Sequence, residues 1–420
     1  MDREADEARM PPRRRVVVTG IGVASALGCA VPEAWGRLLR NESGLKPISR
    51  FDAGRFGSRL AGEVDDAKVV LRRGPYDFEM RRMASFVRFA VYAGEAALDD
   101  ARFSFDAAGS EAGAIFLGVA MGGLPNIEAG VLRQESRGPG KTSPFLIPSL
   151  IPSMAAGMLA MRCAFTGPQF TFAGACAAGG QAIGAALDAI RRGDCGWALA
   201  GGSEAVTTPI TFSGFEAMHA LSLGGDPAAT PRPFDRRRDG FIVGEGAAVF
   251  LLESLERARA RGAAIHGEIR GAATTTGALD ITVQAPSAIA RCMTGAIRDA
   301  GLSPAEIDAL YAQGSGMVRG DDVELEAIGG VFGPKAPPIT SIKAHTGYTF
   351  AANGPLNVMA ALMALRDRTL SPTRNHAEAE ADWADVVTSA RPFAARHCLI
   401  NALGFGGVNS SLVVSSLSGD

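Results

Sequence analysis

The sequence predicts an α/β protein, and three observations support that fold class. Short apolar segments with the composition of buried strands alternate with longer segments of helical spacing. Glycine-rich stretches separate the two kinds of segment, as they do in layered α/β proteins. Apolar residues make up 47% of the 420 residues and charged residues 20%, which is typical of a globular protein with a large core.

Several short segments are predicted strands. Arg15 to Thr19 reads RVVVT, and the Gly20-Ile21-Gly22 that follows is predicted to be a tight turn at the exit of the strand. The other strand candidates are Ala198 to Ala200, which runs into Gly201-Gly202, Ala247 to Leu252, and Ala309 to Ala312.

Two predicted helices adjoin the segments that carry the chemistry. Between Ala177 and Arg192 the apolar residues recur at i, i+3, i+4 and i+7, and Gly193 is placed to cap this helix. The segment from Pro355 to Leu365 is apolar almost all round, so it should form a helix buried in the middle of the molecule.

Charge and composition exclude several classes of function. The formal net charge is −2 and the pI about 6.3, so no global charge attracts nucleic acid or an anionic membrane. The longest apolar runs are too short to span a bilayer. The six cysteines are scattered without C-x-x-C spacing, which indicates a reduced, cytoplasmic protein. The five histidines lack the spacing of a metal site, so no metal is expected.

The segment Phe170 to Gly180, FTFAGACAAGG, predicts a nucleophile at Cys176. It reads as a β-rich stretch, a turn of small residues, and a cysteine at the start of a helix. The positive end of a helix favours a thiolate, so we expect a lowered pKa for Cys176. The alternative is a small buried apolar side chain, as free cysteines often are. The strand-turn-helix context favours the nucleophile.

Four motifs give the chain a resemblance to a known family. The segment AGACAAGGQAIGAALDAIRRGDCGWALAGGSEA around Cys176 resembles the nucleophile elbow of type II elongating β-ketoacyl-acyl carrier protein synthases. Three further matches follow in the family's order: Pro233 to Gly246 (PFDRRRDGFIVGEG), Ser341 to Gly347 (SIKAHTG) and Asn401 to Asn409 (NALGFGGVN).

The resemblance implies the thiolase fold, two duplicated halves in a five-layer α-β-α-β-α architecture, usually assembled as a dimer. It divides the chain into a flexible N-terminus (1–13), an N-terminal half (14–260) and a C-terminal half (261–418). It implies that Cys176 accepts an acyl group from an acyl carrier protein. The backbone N–H groups of Cys176 and Phe405 would form the oxyanion hole, and Phe405 would also gate the acyl pocket. No cofactor is implied, since the carrier protein brings its own phosphopantetheine.

The chain departs from the family at the two histidines that stabilise the enolate formed by decarboxylation. Gln313 stands at the first histidine position, in AQGSGM, and Tyr348 at the second, in KAHTGY. Both can donate hydrogen bonds, although tyrosine is a far weaker acid than imidazolium. Loss of one oxyanion donor can cost roughly 100- to 1,000-fold in rate. We therefore expect decarboxylative condensation to be slow or absent.

The other site residues of the family are retained. By resemblance, Lys343, Asp321 and Glu324 form a supporting shell of ion pairs and hydrogen bonds, and Asn409 belongs to that shell. A surface charge pair is the alternative for the acidic residues. His345 lies three residues before the lost histidine and is either a buried structural group or a replacement base.

Three functions remain open at this point. The chain could be an acyltransferase that loads Cys176 and completes a non-decarboxylating transfer, condensation, or aldol- or lactone-type cyclisation. It could be a chain-length-factor-like partner of a ketosynthase, because VFGPKAPPIT, GPLNVMAALMALRD and DVVTSARPF resemble that subfamily. An ordinary decarboxylating synthase is the third reading. The retained Cys176 favours the first, since a partner subunit that forms no acyl intermediate needs no thiol.

Two segments are candidates for partner contacts. Carrier proteins are acidic, so docking needs a local basic cluster. Such a cluster lies in LRRGPYDFEMRRMASFVRF, and either it docks the carrier or it is a solvated helix face; its arginines are Arg72, Arg73, Arg81, Arg82 and Arg88. By resemblance, Gly123 to Lys141 makes the contacts of a homodimer, or of a heterodimer with a ketosynthase.

Overall fold

The computed structural model describes residues 13–104 and 112–417. The strands are β1 (Val16–Ser25), β2 (Lys46–Pro47), β3 (Leu60–Ala61), β4 (Gly113–Gly118), β5 (Gln169–Phe172), β6 (Trp197–Glu204), β7 (Gly246–Ser254), β8 (Gly267–Thr276), β9 (Ala309–Tyr311), β10 (Ile339–Thr340), β11 (Thr369–Leu370), β12 (Arg391–Pro392), β13 (His397–Gly404) and β14 (Val408–Ser415).

The helices are α1 (Val31–Leu39), α2 (Asp77–Met80), α3 (Ser85–Asp100), α4 (Leu124–Arg137), α5 (Leu146–Leu150), α6 (Met154–Arg162), α7 (Ala178–Arg192), α8 (Pro209–Ala217), α9 (Leu255–Ala260), α10 (Pro286–Asp299), α11 (Val318–Phe332), α12 (Lys343–Thr346) and α13 (Asn353–Asp367).

The main sheet shows the same strand order twice. Its order is β10-β9-β13-β14-β8-β1-β7-β6-β4-β5, so β8, β14, β13, β9 and β10 repeat the arrangement of β1, β7, β6, β4 and β5. The two halves of the sheet meet through a short antiparallel contact between β1 and β8, at Val17↔Glu268 and Val18↔Gly267. The fold is therefore a duplication.

Helices on three levels complete the layers. Helix α3 packs on β1, β7 and β6, and α10 packs on β8 and β14, so these two helices cover the outer faces. Helices α7 and α13 contact strands of both half-sheets and form the middle layer. The expected five-layer arrangement of duplicated halves is confirmed. The division at residue 260 stays a prediction, and the segment predicted to be flexible lies outside the described residues apart from Arg13.

The glycines after the first strand do not form the predicted turn. Gly20 and Gly22 lie inside β1, which continues to Ser25. A Cβ on Gly20 would lie 2.0 Å from the Ala97 carbonyl oxygen, and one on Gly22 would lie 1.8 Å from that of Ala93. These glycines therefore let helix α3 approach the sheet closely, and the prediction of a turn is wrong because close approach and turning favour the same residue.

The two helices singled out in the sequence are both confirmed. Helix α7 ends at Arg192, and Gly193 caps it with a φ of 84°. Helix α13 begins two residues before Pro355 and is buried continuously from Asn353 to Leu365. No helix of the described part of the chain is both long and apolar enough to cross a bilayer.

Candidate active site

Cys176 lies in a short turn between an edge strand and a middle-layer helix. Strand β5 ends at Phe172, a 3₁₀ turn spans Ala175–Ala177, and α7 follows at once. Ala175 has a φ of 47°, in the left-handed region that costs energy for any residue with a Cβ. The turn holds the thiol in a buried position, with 8% of the residue exposed.

The expectation of a lowered pKa for Cys176 is wrong. Burial raises the pKa of the thiol to about 11, because a thiolate there would lose its hydration. The Tyr348 hydroxyl, which donates toward the sulfur, and the charge of Lys343 act in the opposite direction but do not offset burial. Cys176 lies at the start of a helix, as predicted. Its surroundings are more apolar than the small residues next to it in the sequence led us to expect.

A cavity of about 120 Å³ adjoins Cys176. Half of its lining residues are aromatic, and they come from distant segments of the chain. The lining residues are Ala120, Met121, Ala175, Cys176, Phe215, Phe241, Met317, Tyr348, Phe350 and Phe405. Phe241 and Tyr348 have ring centroids 4.8 Å apart, and those of Tyr348 and Phe350 are 5.1 Å apart. No histidine lines this cavity among the described residues.

Phe405 reaches the same cavity from the turn between β13 and β14. It is half-buried, and its ring centroid is 6.4 Å from that of Phe215. The preceding Gly404 packs against Cys176, since a Cβ on Gly404 would lie 3.0 Å from the backbone nitrogen of Cys176. The structure thus brings together the two residues to which the resemblance assigns the oxyanion hole.

Both polar atoms of the Gln313 side chain are hydrogen-bonded to other residues of the protein. Its Nε2 donates to the Tyr348 hydroxyl and to the Leu403 carbonyl oxygen at 3.1 Å. Its Oε1 accepts from the Leu403 backbone N–H at 3.2 Å. The side chain pairs with both polar groups of Leu403, as a neighbouring strand would, and is absent from the cavity wall. In this arrangement Gln313 has no donor left for a substrate carbonyl.

Tyr348 is the polar group that faces the thiol. Its backbone is fixed by bonds to both sides of Val243: its N–H donates to Ile242 at 2.7 Å, and its carbonyl oxygen accepts from Gly244 at 2.8 Å. Burial raises the pKa of the hydroxyl well above its usual value, so it stays protonated and acts as a donor.

Lys343 and the two carboxylates are buried, which excludes the surface charge pair. Lys343, Asp321 and Glu324 are each 1% exposed. Lys343 Nζ lies 3.5 Å from the Ala312 carbonyl oxygen, and burial lowers the pKa of its ammonium group to about 8.

The carboxylates bind backbone amides, and no ion pair with Lys343 is found among the described residues. Glu324 accepts from the N–H groups of Gln313 and Gly314, at 2.9 and 2.8 Å. Asp321 accepts from those of Ser315 and Gly316. The expected ion pairs are therefore replaced by charge interactions across a greater distance, and the carboxylates hold the 313–316 loop in place.

The last two members of the expected shell, His345 and Asn409, are not among the residues that line the cavity beside Cys176. His345 is fully buried, and its Nε2 lies 3.0 Å from Asn41 Oδ1. Burial first, and then the charge of Arg374, lower the pKa of His345 to about 3, so the ring is neutral and structural. Asn409 donates to the Gly407 carbonyl oxygen at 3.1 Å and supports the turn that carries Phe405.

Comparison with known proteins identifies the family. The model of the β-ketoacyl synthase N-terminal domain matches residues 13–258, and that of the C-terminal domain matches 266–377. The chain belongs to the β-ketoacyl synthase family. This family member is 37% identical to 3-oxoacyl-[acyl-carrier-protein] synthase 2 of Coxiella burnetii, over 96% of the chain and 99% of that protein. It is 36% identical to the Synechocystis enzyme of the same name, over 95% and 97% of the two chains.

Solved structures match the β-ketoacyl synthase-family chain over nearly its whole length. The ishigamide ketosynthase/chain length factor aligns with a TM-score of 0.90 at 33% identity, covering 97% of this chain and 100% of that one. A β-ketoacyl synthase from Burkholderia phymatum aligns at 0.88 and 32%, covering 96% and 100%. The resemblance seen in the motifs is confirmed, and the chain has a ketosynthase-like, acyltransferase-type role.

The arginines proposed for carrier docking lie apart from the cavity of this β-ketoacyl synthase-family chain. Arg72 pairs with Asp99, and with Arg73 it lines a separate cleft. Arg82 stacks on the Phe78 ring, 3.5 Å from its centroid. Arg81 is exposed. None of them lines the cavity beside Cys176.

Glu204 is a site residue that sequence reasoning missed. It lies at the end of β6, fully buried, and accepts from the backbone N–H groups of Ala120, Met121 and Gly122 at 2.8 to 3.0 Å. Burial raises the pKa of its carboxyl to about 7, although these three bonds act to lower it. The available signal was an acidic residue after the small residues of AGGS, where a strand leaves the sheet.

Proposed function

We propose that this chain is a ketosynthase-like acyltransferase that loads an acyl group onto Cys176 and passes it on without decarboxylating malonyl thioester. The observation that carries the proposal is a buried cysteine beside a cavity with one hydroxyl donor, Tyr348, and no imidazole among its lining residues. The thiol supports covalent acyl transfer. The missing imidazoles weigh against the stabilisation of an enolate.

The loading step is a thioester exchange. The Cys176 sulfur attacks the carbonyl carbon of the incoming thioester, the bond to the pantetheine sulfur breaks, and the thiol proton ends on that sulfur. The Tyr348 hydroxyl is placed to relay this proton. The backbone N–H groups of Cys176 and Phe405 are the proposed donors to the carbonyl oxygen as it becomes negative.

The release step is where this enzyme would differ from a condensing synthase. A condensing enzyme needs two donors on the malonyl carbonyl, whereas the Nε2 of Gln313 is already committed to Tyr348 and Leu403. The acyl group would instead leave Cys176 to a nucleophile on an acceptor, or to a hydroxyl on its own chain in a lactone-type closure, with the proton of that nucleophile ending on the Cys176 sulfur. In an aldol-type closure the chain would cyclise while still bound to Cys176 and would leave in a later transfer of the first kind.

The proposed partners are an acyl carrier protein and a second chain of the same family. Phosphopantetheine would arrive on the carrier, so the chain itself would need no cofactor. One structural neighbour is described as a type II polyketide synthase carrier protein in complex with its ketosynthase. Strand β5 is the last strand of the sheet and exposes half of Phe170. Helix α4 has no buried residue and exposes Ile127, Val131 and Leu132, so a partner chain packed on it would cover apolar surface.

Two measurements on the purified protein test the proposal. Mixing with acyl-loaded carrier proteins should add one acyl mass to the protein, and Cys176→Ala should remove that adduct. Incubation with malonyl carrier protein should release no more carbon dioxide than Cys176→Ala does. Release well above that control would instead identify an ordinary decarboxylating synthase.

A chain-length-factor-like role is the second candidate. The pKa of Cys176 near 11 leaves little thiolate at neutral pH. A partner subunit that forms no acyl intermediate would need no thiolate, so this pKa is compatible with such a role. Absence of any acyl adduct, together with co-purification of a ketosynthase, would support this role over the first.

A further inference from the structure

The cavity beside Cys176 offers an acyl chain apolar surface and almost no hydrogen-bond donor. Phe215, Phe241, Phe350 and Phe405 contribute rings. Met121 and Met317 contribute thioethers, which donate no hydrogen bond. Apart from the thiol, the one side-chain donor among the described lining residues is the Tyr348 hydroxyl.

The polar groups behind this wall already have partners. The Tyr348 hydroxyl accepts from Gln313 and lies 3.4 Å from the Leu403 carbonyl oxygen. Lys343 Nζ has Ala312 as its acceptor. The proposed oxyanion amides can bind one carbonyl oxygen, that of the thioester. A second oxygen on the chain could reach only the Tyr348 hydroxyl as a donor, and would have to draw its proton away from the Cys176 sulfur and the Leu403 carbonyl oxygen.

We propose that Cys176 selects short acyl groups whose first carbons carry no oxygen, and discriminates against 3-oxoacyl groups. This inference rests on the acyl-transfer function proposed above. Burying a carbonyl without a hydrogen bond is unfavourable, whereas burying methylene groups against aromatic rings is favourable. Among the reactions considered, the preference favours transfer over aldol closure, since an aldol needs a carbonyl group along the chain.

The cavity volume limits the length of the group. At about 120 Å³ it is far smaller than the roughly 300–1,000 Å³ typical of sites for drug-sized ligands. It therefore holds only the first few carbons of a chain. A longer chain requires displacement of a wall residue, and half-buried Phe405, on a turn that contains two glycines of positive φ, is placed to move.

The test compares butanoyl and 3-oxobutanoyl thioesters of N-acetylcysteamine. Acylation of Cys176 is followed by intact mass, and each rate is divided by the rate of the same thioester with free glutathione to remove the difference in intrinsic reactivity. Butanoyl should load about 5- to 150-fold faster on this corrected scale, the range expected for one unsatisfied buried carbonyl.

Two substitutions at one wall position separate polarity from shape. Met317→Gln keeps the length of the side chain and adds a donor, so the preference for butanoyl should fall toward one. Met317→Leu keeps the wall apolar and should leave the preference as in the native protein. An unchanged preference in Met317→Gln would contradict the role assigned to missing donors.

The remaining outcomes separate this inference from the function beneath it. Equal corrected rates for the two thioesters on the native protein overturn the substrate preference but leave acyl transfer standing. Loading by neither thioester overturns the acyl-transfer function, and the preference with it.

Discussion

Replacing Gln313 with leucine should lower the free energy of unfolding by more than the loss of a single hydrogen bond would. The substitution leaves a side chain of similar size but removes the acceptor of the buried Leu403 N–H and the nearer of the two donors to its carbonyl oxygen, the Tyr348 hydroxyl remaining 3.4 Å away. The unpaired N–H costs about 1–3 kcal/mol and the lost bond to the carbonyl oxygen about 0.5–1.5 kcal/mol, so the free energy of unfolding should fall by about 1.5–4.5 kcal/mol.

Gln284→Leu is a matched control. Gln284 is as buried as Gln313, at 6% exposed, but within the described ranges its side chain makes a single hydrogen bond, which it donates to the Gly404 carbonyl oxygen at 2.8 Å. This variant should lose no more than about 1–3 kcal/mol. Urea unfolding of both variants, followed by circular dichroism, provides the comparison. If Gln313→Leu loses no more stability than Gln284→Leu, the strand-like pairing of Gln313 with Leu403 does not matter to the fold.

Three further predictions concern the thiol. Iodoacetamide should alkylate Cys176 about tenfold faster for each pH unit between 7 and 10, because the thiolate fraction rises below a pKa near 11; a plateau below pH 8 would contradict this. Tyr348→Phe should slow alkylation at pH 8 by about 2- to 10-fold, since the sulfur loses a donor worth roughly 1 kcal/mol; a faster rate would refute the assigned contact. Glu204→Gln should lower the free energy of unfolding by about 1–3 kcal/mol, because an amide nitrogen cannot accept a hydrogen bond from the 120–122 loop; an unchanged urea midpoint would argue against this effect. The same substitution should lower the pKa of Cys176, because it removes a negative charge.

The sequence predicted the fold and the position of Cys176 at the start of a helix because local patterns carry both. Helical periodicity and the cap at Gly193 define α7, and the motif around Cys176 places the thiol at its start. The turn predicted at the glycines of β1 was wrong because a glycine is required both where a chain turns and where a helix closely approaches a strand. Only the packing of α3 distinguishes the two cases.

The chemistry of the site could be predicted only in part. The positions of Gln313 and Tyr348 follow from motifs, but the bonds of Gln313 to Leu403 join residues 90 positions apart. The pKa of Cys176 is set by rings such as Phe215 and Phe350, whose sequence context is that of ordinary core residues. The environment of a group depends on contacts between distant segments, which residue spacing does not encode.

The aromatic wall has a consequence for the lifetime of an acyl-enzyme. Rings and thioethers leave little room for bulk solvent around the Cys176 sulfur, and no described lining residue is a base that could activate a water molecule. Once formed, the thioester at Cys176 would resist hydrolysis and retain its acyl group until an acceptor arrived. The rate at which the acyl-enzyme is consumed would then be set by the arrival of the second substrate and not by hydrolysis of the thioester.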